Sequence, residues 1–309
     1  MAGRTLLLLA GLGIFLAVGL VVPYLSGPSR PANISSNITL VISRNYGQIV
    51  LGNWTFEPGL GLTGMEMLRN VTSVETRYGG MYVYSMFDLK SDISKRLDWL
   101  YYVNGVYMDT GLSSYRPEPG EVVQVDYHYW GSYGGSPGFL SGYPNKLVYG
   151  VGGKKGNVTI VSPANLEKVA KQLAGVLASM GAGRSTIVEP VQAVEPALDA
   201  NLIVLVTSDD CSFFEHIQGW KSNAYWPSTC EDGTIWQNGL ARGDRTPLQE
   251  GCTVQCMDFP ASGKWALIVL ATDPDWAAKG VKELTQGRSF GYAAAFAVTP
   301  SGILKLPVE

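Results

Sequence analysis

The sequence predicts an α+β protein in three parts: an N-terminal membrane helix, a small β-rich domain, and an α/β domain with a mainly parallel sheet and a disulfide-bearing insertion. Three observations predict it. Residues 98–130 alternate aromatic and polar side chains around tight turns, the pattern of half-buried strands. Residues 202–206 (LIVLV) and 266–270 (ALIVL) are continuous apolar runs of strand length, as in sheets covered on both faces. Residues 5–25 are uncharged and apolar over the length of a bilayer-spanning helix.

Length and composition agree with two folded parts. A chain of 309 residues has room for two modest domains, and a hydrophobic share of 46% can fill both cores. A net charge of -3 leaves no basic surplus for nucleic acid. The 37 glycines and 16 tyrosines, at only 16% charged residues, suit an extracellular β-rich protein.

Residues 1–25 read as a transmembrane anchor or a signal peptide. Arg4 precedes the apolar run and would place the rest of the chain outside the cytoplasm. The run is long for a signal core, and Val21-Val22-Pro23-Tyr24 is bulky where a cleavage site needs small residues. The expected location is therefore the cell membrane, single-pass, with the C-terminal part extracytoplasmic and the membrane as a partner. Residues 26–36 form a Gly, Pro and Ser-rich linker. Glycosylation sequons begin at Asn33, Asn37, Asn53, Asn70 and Asn157, all beyond the apolar run.

Residues 37–130 form the first domain. Residues 38–43 are a strand, 49–51 and 54–56 a strand pair, and 63–70 a short helix. Gly79-Gly80 turns a hairpin, and Asn104-Gly105 turns another after the aromatic strand 99–103. Pro119-Gly120 leads into the last strand. There Val123, Val125, Tyr127 and Tyr129 share one face and Gln124, Asp126 and His128 the other. Met67-Leu68, Gly79-Gly80, the W-x-x-Y-V-N-G of residues 99–105, Gly111 and residues 119–130 together resemble the transcobalamin C-terminal-like domain (the DUF4430 family). Gly120-Glu121 stands where that family usually has Gly-Asp. The resemblance implies a β-grasp-like domain and, because such domains pack against a corrinoid in transcobalamin-type proteins, cobalamin as a ligand. Tyr102, Tyr107, Tyr129 and Trp130 are the candidate ligand-binding residues, with core packing as the competing role for the aromatic cluster.

Residues 131–145 are a Gly-rich linker, and residues 146–309 the α/β domain. Ser162-Pro163 opens a helix whose Leu166, Val169, Leu173 and Leu177 share a face. Thr272-Asp273-Pro274 opens another, and Pro300-Ser301-Gly302 turns a closing hairpin. Residues 208–264 read as an insertion between the two apolar strands. It holds all four cysteines, Cys211, Cys230, Cys252 and Cys256, which predict two disulfides with three pairings open and a zinc site as the rival.

Chemistry is sparse. Asp209 and Asp210 follow one apolar strand, and Asp273 and Asp275 the other. If those strands are parallel neighbours, the four carboxylates emerge at one sheet edge, where they could hold Mg²⁺ or Ca²⁺ or simply cap helices. The two histidines, His128 and His216, fall in different domains, and no GxSxG, HExxH or Walker pattern occurs, so no catalytic residue is assigned. The sequence thus points to a membrane-anchored extracytoplasmic ligand-binding protein, with a small molecule or an envelope protein as partner and no nucleic acid. A structural or assembly protein of the cell envelope is one alternative. A metal-dependent hydrolase using the acidic sheet edge is the other.

Overall fold

The first part of the chain runs β1 (Ile38–Arg44), β2 (Ile49–Phe56), α1 (Gly64–Val71), β3 (Glu75–Arg77), β4 (Tyr82–Met86), β5 (Leu89–Lys90), β6 (Leu97–Val103), β7 (Val106–Tyr107) and β8 (Val122–Tyr129). This computed structural model describes residues 36–130, 137–189, 201–219, 224–240, 243–259, 264–286 and 290–307. A five-stranded sheet has the order β2-β1-β8-β6-β7, with β1 and β8 parallel at its centre and antiparallel pairs around them. Helix α1 lies against one face. Thr63 and Glu66 form a reciprocal capping box at its start, and Met65, Met67 and Leu68 are buried with Leu40, Ile42, Trp99, Val123 and Val125. Each of these side chains contributes about 1.5–3 kcal/mol on burial. Strands β3, β4 and β5 form a separate small sheet.

The second part runs α2 (Asn145–Val148), β9 (Val158–Val161), α3 (Glu167–Ser179), β10 (Ser185–Val188), β11 (Asn201–Thr207), α4 (Cys211–Gly219), β12 (Ser228–Glu231), β13 (Thr234–Asn238), β14 (Arg245–Pro247), β15 (Cys252–Phe259), β16 (Lys264–Ala271), α5 (Pro274–Gln286), β17 (Ala295–Thr299) and β18 (Gly302–Leu306). A seven-stranded sheet has the order β10-β9-β11-β16-β15-β17-β18. Helices α3 and α5 share a core with one face through Leu173, Leu177, Trp276 and Leu284. A second core holds Phe214 and Ile217 of α4 with Cys230 and Ile235 of the sheet β12-β13-β14.

The expectation of a mainly parallel sheet is overturned. Strands β10, β9, β11 and β16 are parallel, but β16-β15, β15-β17 and β17-β18 are antiparallel. The missing strand, β15, lies inside residues 208–264. It was hidden because one of its two buried faces carries Thr253 and Gln255, which are polar and hydrogen-bonded. The Gln255 amide accepts from Ser228 N and donates to Ser228 O, both at 2.9 Å, as a backbone strand partner would.

The membrane expectations are also corrected. The apolar run 5–25 lies outside the described residues. Among the described residues no helix is long and apolar enough to cross a membrane. Among the described residues the two longest helices, α3 and α5, have 13 residues each, about 20 Å against the ~30 Å of a bilayer core. Anchoring through an N-terminal helix, the membrane as a partner and a single-pass cell-membrane location are therefore not supported.

One disulfide forms instead of two. Cys211 and Cys230 are bonded, with Cα atoms 5.1 Å apart, and tie α4 to β12. Cys252 and Cys256 are free and buried. Both sit on β15, four residues apart, or about 13 Å along a strand, while a disulfide needs Cα atoms within about 7 Å.

The two large sheets meet at the Asn104-Gly105 turn. Asn104 is fully buried, takes φ +48°, and its amide donates to Gly150 O and accepts from Val122 N. Gly105, at φ +76°, donates no side chain: a Cβ there would lie 2.1 Å from Phe139 O. Residues 137–143, within the expected linker, are packed into this joint, with Phe139 and Leu140 fully buried.

Candidate ligand-binding site

An open concavity lies on the small domain, along β3, β4, β5 and the start of β6. Gly79 and Gly80, both at positive φ, turn the chain between β3 and β4. Strand alternation then puts Tyr82 and Tyr84 on one side, with Tyr78 in the turn. Asp92 caps the short turn Ile93–Lys95. Its carboxylate accepts from Ser94 Oγ at 2.6 Å and Lys95 N at 3.1 Å, and these donors hold its pKa below the usual value. Arg96 follows at φ +56° and starts β6.

These elements enclose a groove of about 790 Å³. Four tyrosines line it, Tyr78, Tyr82, Tyr84 and Tyr127, together with Arg77, Lys90 and Lys95 and with Asp88, Asp92 and Asp98. Tyr78 is 71% exposed, so its ring is available to a ligand. The Arg77 guanidinium sits 3.5 Å above the Tyr84 ring and holds it in place. Tyr82 donates to Asp98 Oδ1 at 2.7 Å, and burial pushes its hydroxyl up to about 12. Ser91 Oγ also donates to that oxygen, at 2.6 Å.

A second pocket, of about 240 Å³, adjoins the groove and shares Tyr82 and Asp98 with it. Its walls come from β4, β6, β7 and residues 108–112. The buried Val83, Trp99, Leu112 and Val125 form its floor.

Of the four ligand-binding residues expected from sequence, only Tyr107 lines either space. Tyr102 is fully buried between the sheets, its ring 4.4 Å from Phe139 in a cluster with Tyr46 and Tyr225. Tyr129 is half-buried, and its carbonyl accepts the Tyr46 hydroxyl. Trp130 is 37% exposed and stacks loosely on Arg96, 5.9 Å away. Tyr78, Tyr82 and Tyr84 were missed. Their signal was present as two tyrosines in alternation beside a Gly-Gly turn.

The polar face of β8 is buried too. Asp126 accepts from Ser43 Oγ at 2.5 Å, Tyr46 N at 3.0 Å and Gly47 N at 2.9 Å, and lies 2.8 Å from His128 Nδ1. A Ser, an Asp and a His thus come together, but with the carboxylate in the middle. A nucleophilic triad needs the imidazole between hydroxyl and carboxylate. All three residues are at most 1% exposed, so the cluster organises the sheet and does not meet a substrate.

Strands β11 and β16 are parallel neighbours, so Asp209, Asp210, Asp273 and Asp275 do emerge at one sheet edge. Two of them have local partners there. Asp210 accepts from Thr207 Oγ1 at 2.9 Å, and Asp273 caps α5 through Trp276 N at 3.0 Å. Among the described residues no group of three or more His, Cys, Asp or Glu side chains could hold a metal ion. Of the sequons, Asn53, Asn70 and Asn157 are exposed, Asn37 is half-buried, and Asn33 lies outside the described residues.

Residues 61–129 match the family model described as a domain of unknown function, DUF4430. The match covers α1 to β8 and both concave spaces. No curated protein matches the chain. A crystal structure from Ruminococcus gnavus, described as a "putative metal binding protein", is similar at 15% identity and a TM-score of 0.25, covering 30% of this chain and 95% of its own.

Proposed function

We propose that this protein binds a small ligand in the tyrosine-lined groove of its DUF4430 region. The observation that carries this reading is the groove itself. At about 790 Å³ it falls within the range of ligand sites, roughly 300–1,000 Å³, and it pairs aromatic faces with both signs of charge. The family resemblance implies a corrinoid, and a natural place for one would be between the two large sheets. That space is filled by Tyr46, Tyr102, Phe139 and Tyr225, so a corrinoid would have to lie on the groove. Isothermal titration of the full chain with cobalamin, and with a neutral hexose as a second ring-shaped ligand, tests the reading. Binding that Tyr84→Ala weakens at least about tenfold supports it, since base or ring stacking on one aromatic is worth about 1–3 kcal/mol. Binding unaffected by Tyr78→Ala and Tyr84→Ala together would overturn it.

A second reading, an assembly protein, is favoured by two edge strands. Ile49 and Val50 on β2 and Ile303 and Leu304 on β18 are exposed at sheet edges. Light scattering across a concentration series separates the two: a strict monomer removes self-assembly.

A further inference from the structure

We propose that the 240 Å³ pocket between β4, β6 and β7 binds a protonated alkyl amine. The inference deepens the binding reading above and rests on it. The pocket wall contains two carboxylates, Asp98 and Asp109, and four aromatic rings, Tyr82, Trp99, Tyr101 and Tyr107, with no Lys, Arg or His. Aromatic faces attract cations, and nearby carboxylates reinforce that attraction. An anion would meet repulsion with no compensating donor charge.

Further observations separate an ammonium from other cations and from neutral ligands. The Tyr101 hydroxyl is buried with no hydrogen-bond partner among the described residues. It can accept an N–H from an ammonium head, which a quaternary ammonium cannot offer. Three donors, Tyr82 OH, Ser91 Oγ and Trp99 N, converge on Oδ1 of Asp98, which fixes this carboxylate in its place. The field in the pocket is negative: after burial, the carboxylates of Asp98 and Asp109 push the Tyr107 hydroxyl further up. A bare metal ion is disfavoured because no cluster of three ligating side chains stands there among the described residues. The apolar floor suits a short alkyl chain. The volume is below that of a drug-sized site, so the pocket holds a charged head and a few carbons.

Isothermal titration of the full chain with n-butylammonium chloride, 1-butanol and sodium butyrate at constant ionic strength tests the inference. Butylammonium is expected to bind at least about tenfold more tightly than butanol, and butyrate not at all. Asp109→Asn, a change at an exposed rim residue, is expected to close most of that gap. Tyr101→Phe is expected to weaken butylammonium about fivefold and to leave tetramethylammonium unchanged. Equal binding of butanol and butylammonium would overturn the amine assignment while leaving the pocket a ligand site. No binding of any of the three, with a groove ligand still bound, would overturn the pocket assignment alone. Loss of Tyr84-dependent binding in the groove as well would remove the wider reading.

Discussion

The main-chain amide of Tyr107 donates a 2.7 Å hydrogen bond to the carboxylate of Asp258, 151 positions further along the chain. Asp258 is fully buried on β15, and Tyr107 is the last residue of β7. One bond therefore joins the edge of the first large sheet to the interior strand of the second. Tyr107 also lines the smaller pocket, so the joint helps to set the position of a candidate ligand-binding wall.

Asp258→Ala is expected to destabilise the protein by about 1–3 kcal/mol, because it leaves the part-buried Tyr107 amide without its acceptor. Urea unfolding measures the loss. A change below about 0.5 kcal/mol, the level of an ordinary surface substitution, would show that the bond does not hold the sheets together.

Gly105→Ala is expected to be far more damaging than Gly152→Ala. Both positions have positive φ, but a Cβ at Gly105 would lie 2.1 Å from Phe139 O, while nothing stands within 4 Å at Gly152. The Gly152 variant should lose only the left-handed backbone cost, about 1–2 kcal/mol. The Gly105 variant should lose that and the sheet-to-sheet joint. Equal melting temperatures for the two variants would contradict this account.

Glu121 predicts a pH dependence. Its carboxylate is fully buried beside Tyr115 OH at 2.6 Å, Gly152 N at 2.6 Å and Glu118 N at 2.9 Å. Burial raises its pKa above the ordinary 4.5, and the hydrogen bonds only partly offset this. A raised folded pKa means that the folded state holds the proton more tightly than the unfolded one. Its contribution is complete below the ordinary glutamate range and is lost as pH rises through the folded value. The native protein should therefore lose stability relative to Glu121→Gln between acidic and neutral pH. Denaturant curves of both at several pH values check this, and a constant difference would refute it.

The two free thiols should be silent in the native protein. Cys252 and Cys256 are fully buried, and burial pushes the Cys252 thiol up to about 12. An aromatic disulfide reagent at pH 8 is expected to label neither thiol until denaturant is added, and both after unfolding. Reducing Cys211–Cys230, which closes a loop with sequence separation 19, should cost about 3 kcal/mol. Rapid native labelling would show that the seven-stranded sheet opens easily around β15.

Much of the local structure was legible from the chain alone. Asn104-Gly105 announces a turn because both residues tolerate positive φ, and both have it. The apolar runs in β11 and β16 announce buried strands, and the two pair in parallel. Strand β15 was not legible. Its Thr253, Gln255 and Asp258 interrupt the apolar pattern of a buried strand, and their partners come from Ser228 and β7. The candidate site was partly legible. An aromatic strand shows that rings exist on both faces, but not which face a second sheet will cover. Tyr102 was covered, and Tyr107 stayed at a pocket wall.

By itself the sequence determined the period of each strand, the turns between them and the apolar segments that had to be buried. These follow from steric preferences and hydrophobic spacing within a few residues. Only the tertiary structure decided the fate of the polar face of β8. Gln124, Asp126 and His128 have the alternation of a solvated face, yet they are buried. Buried polar groups survive only where partners are supplied. Here the partners come from Ser43 and Tyr46, about eighty positions earlier, and from the Tyr292 carbonyl, 168 positions later. Contacts over such distances leave no mark in local spacing, so the same alternation that announced a strand could not announce what would cover it.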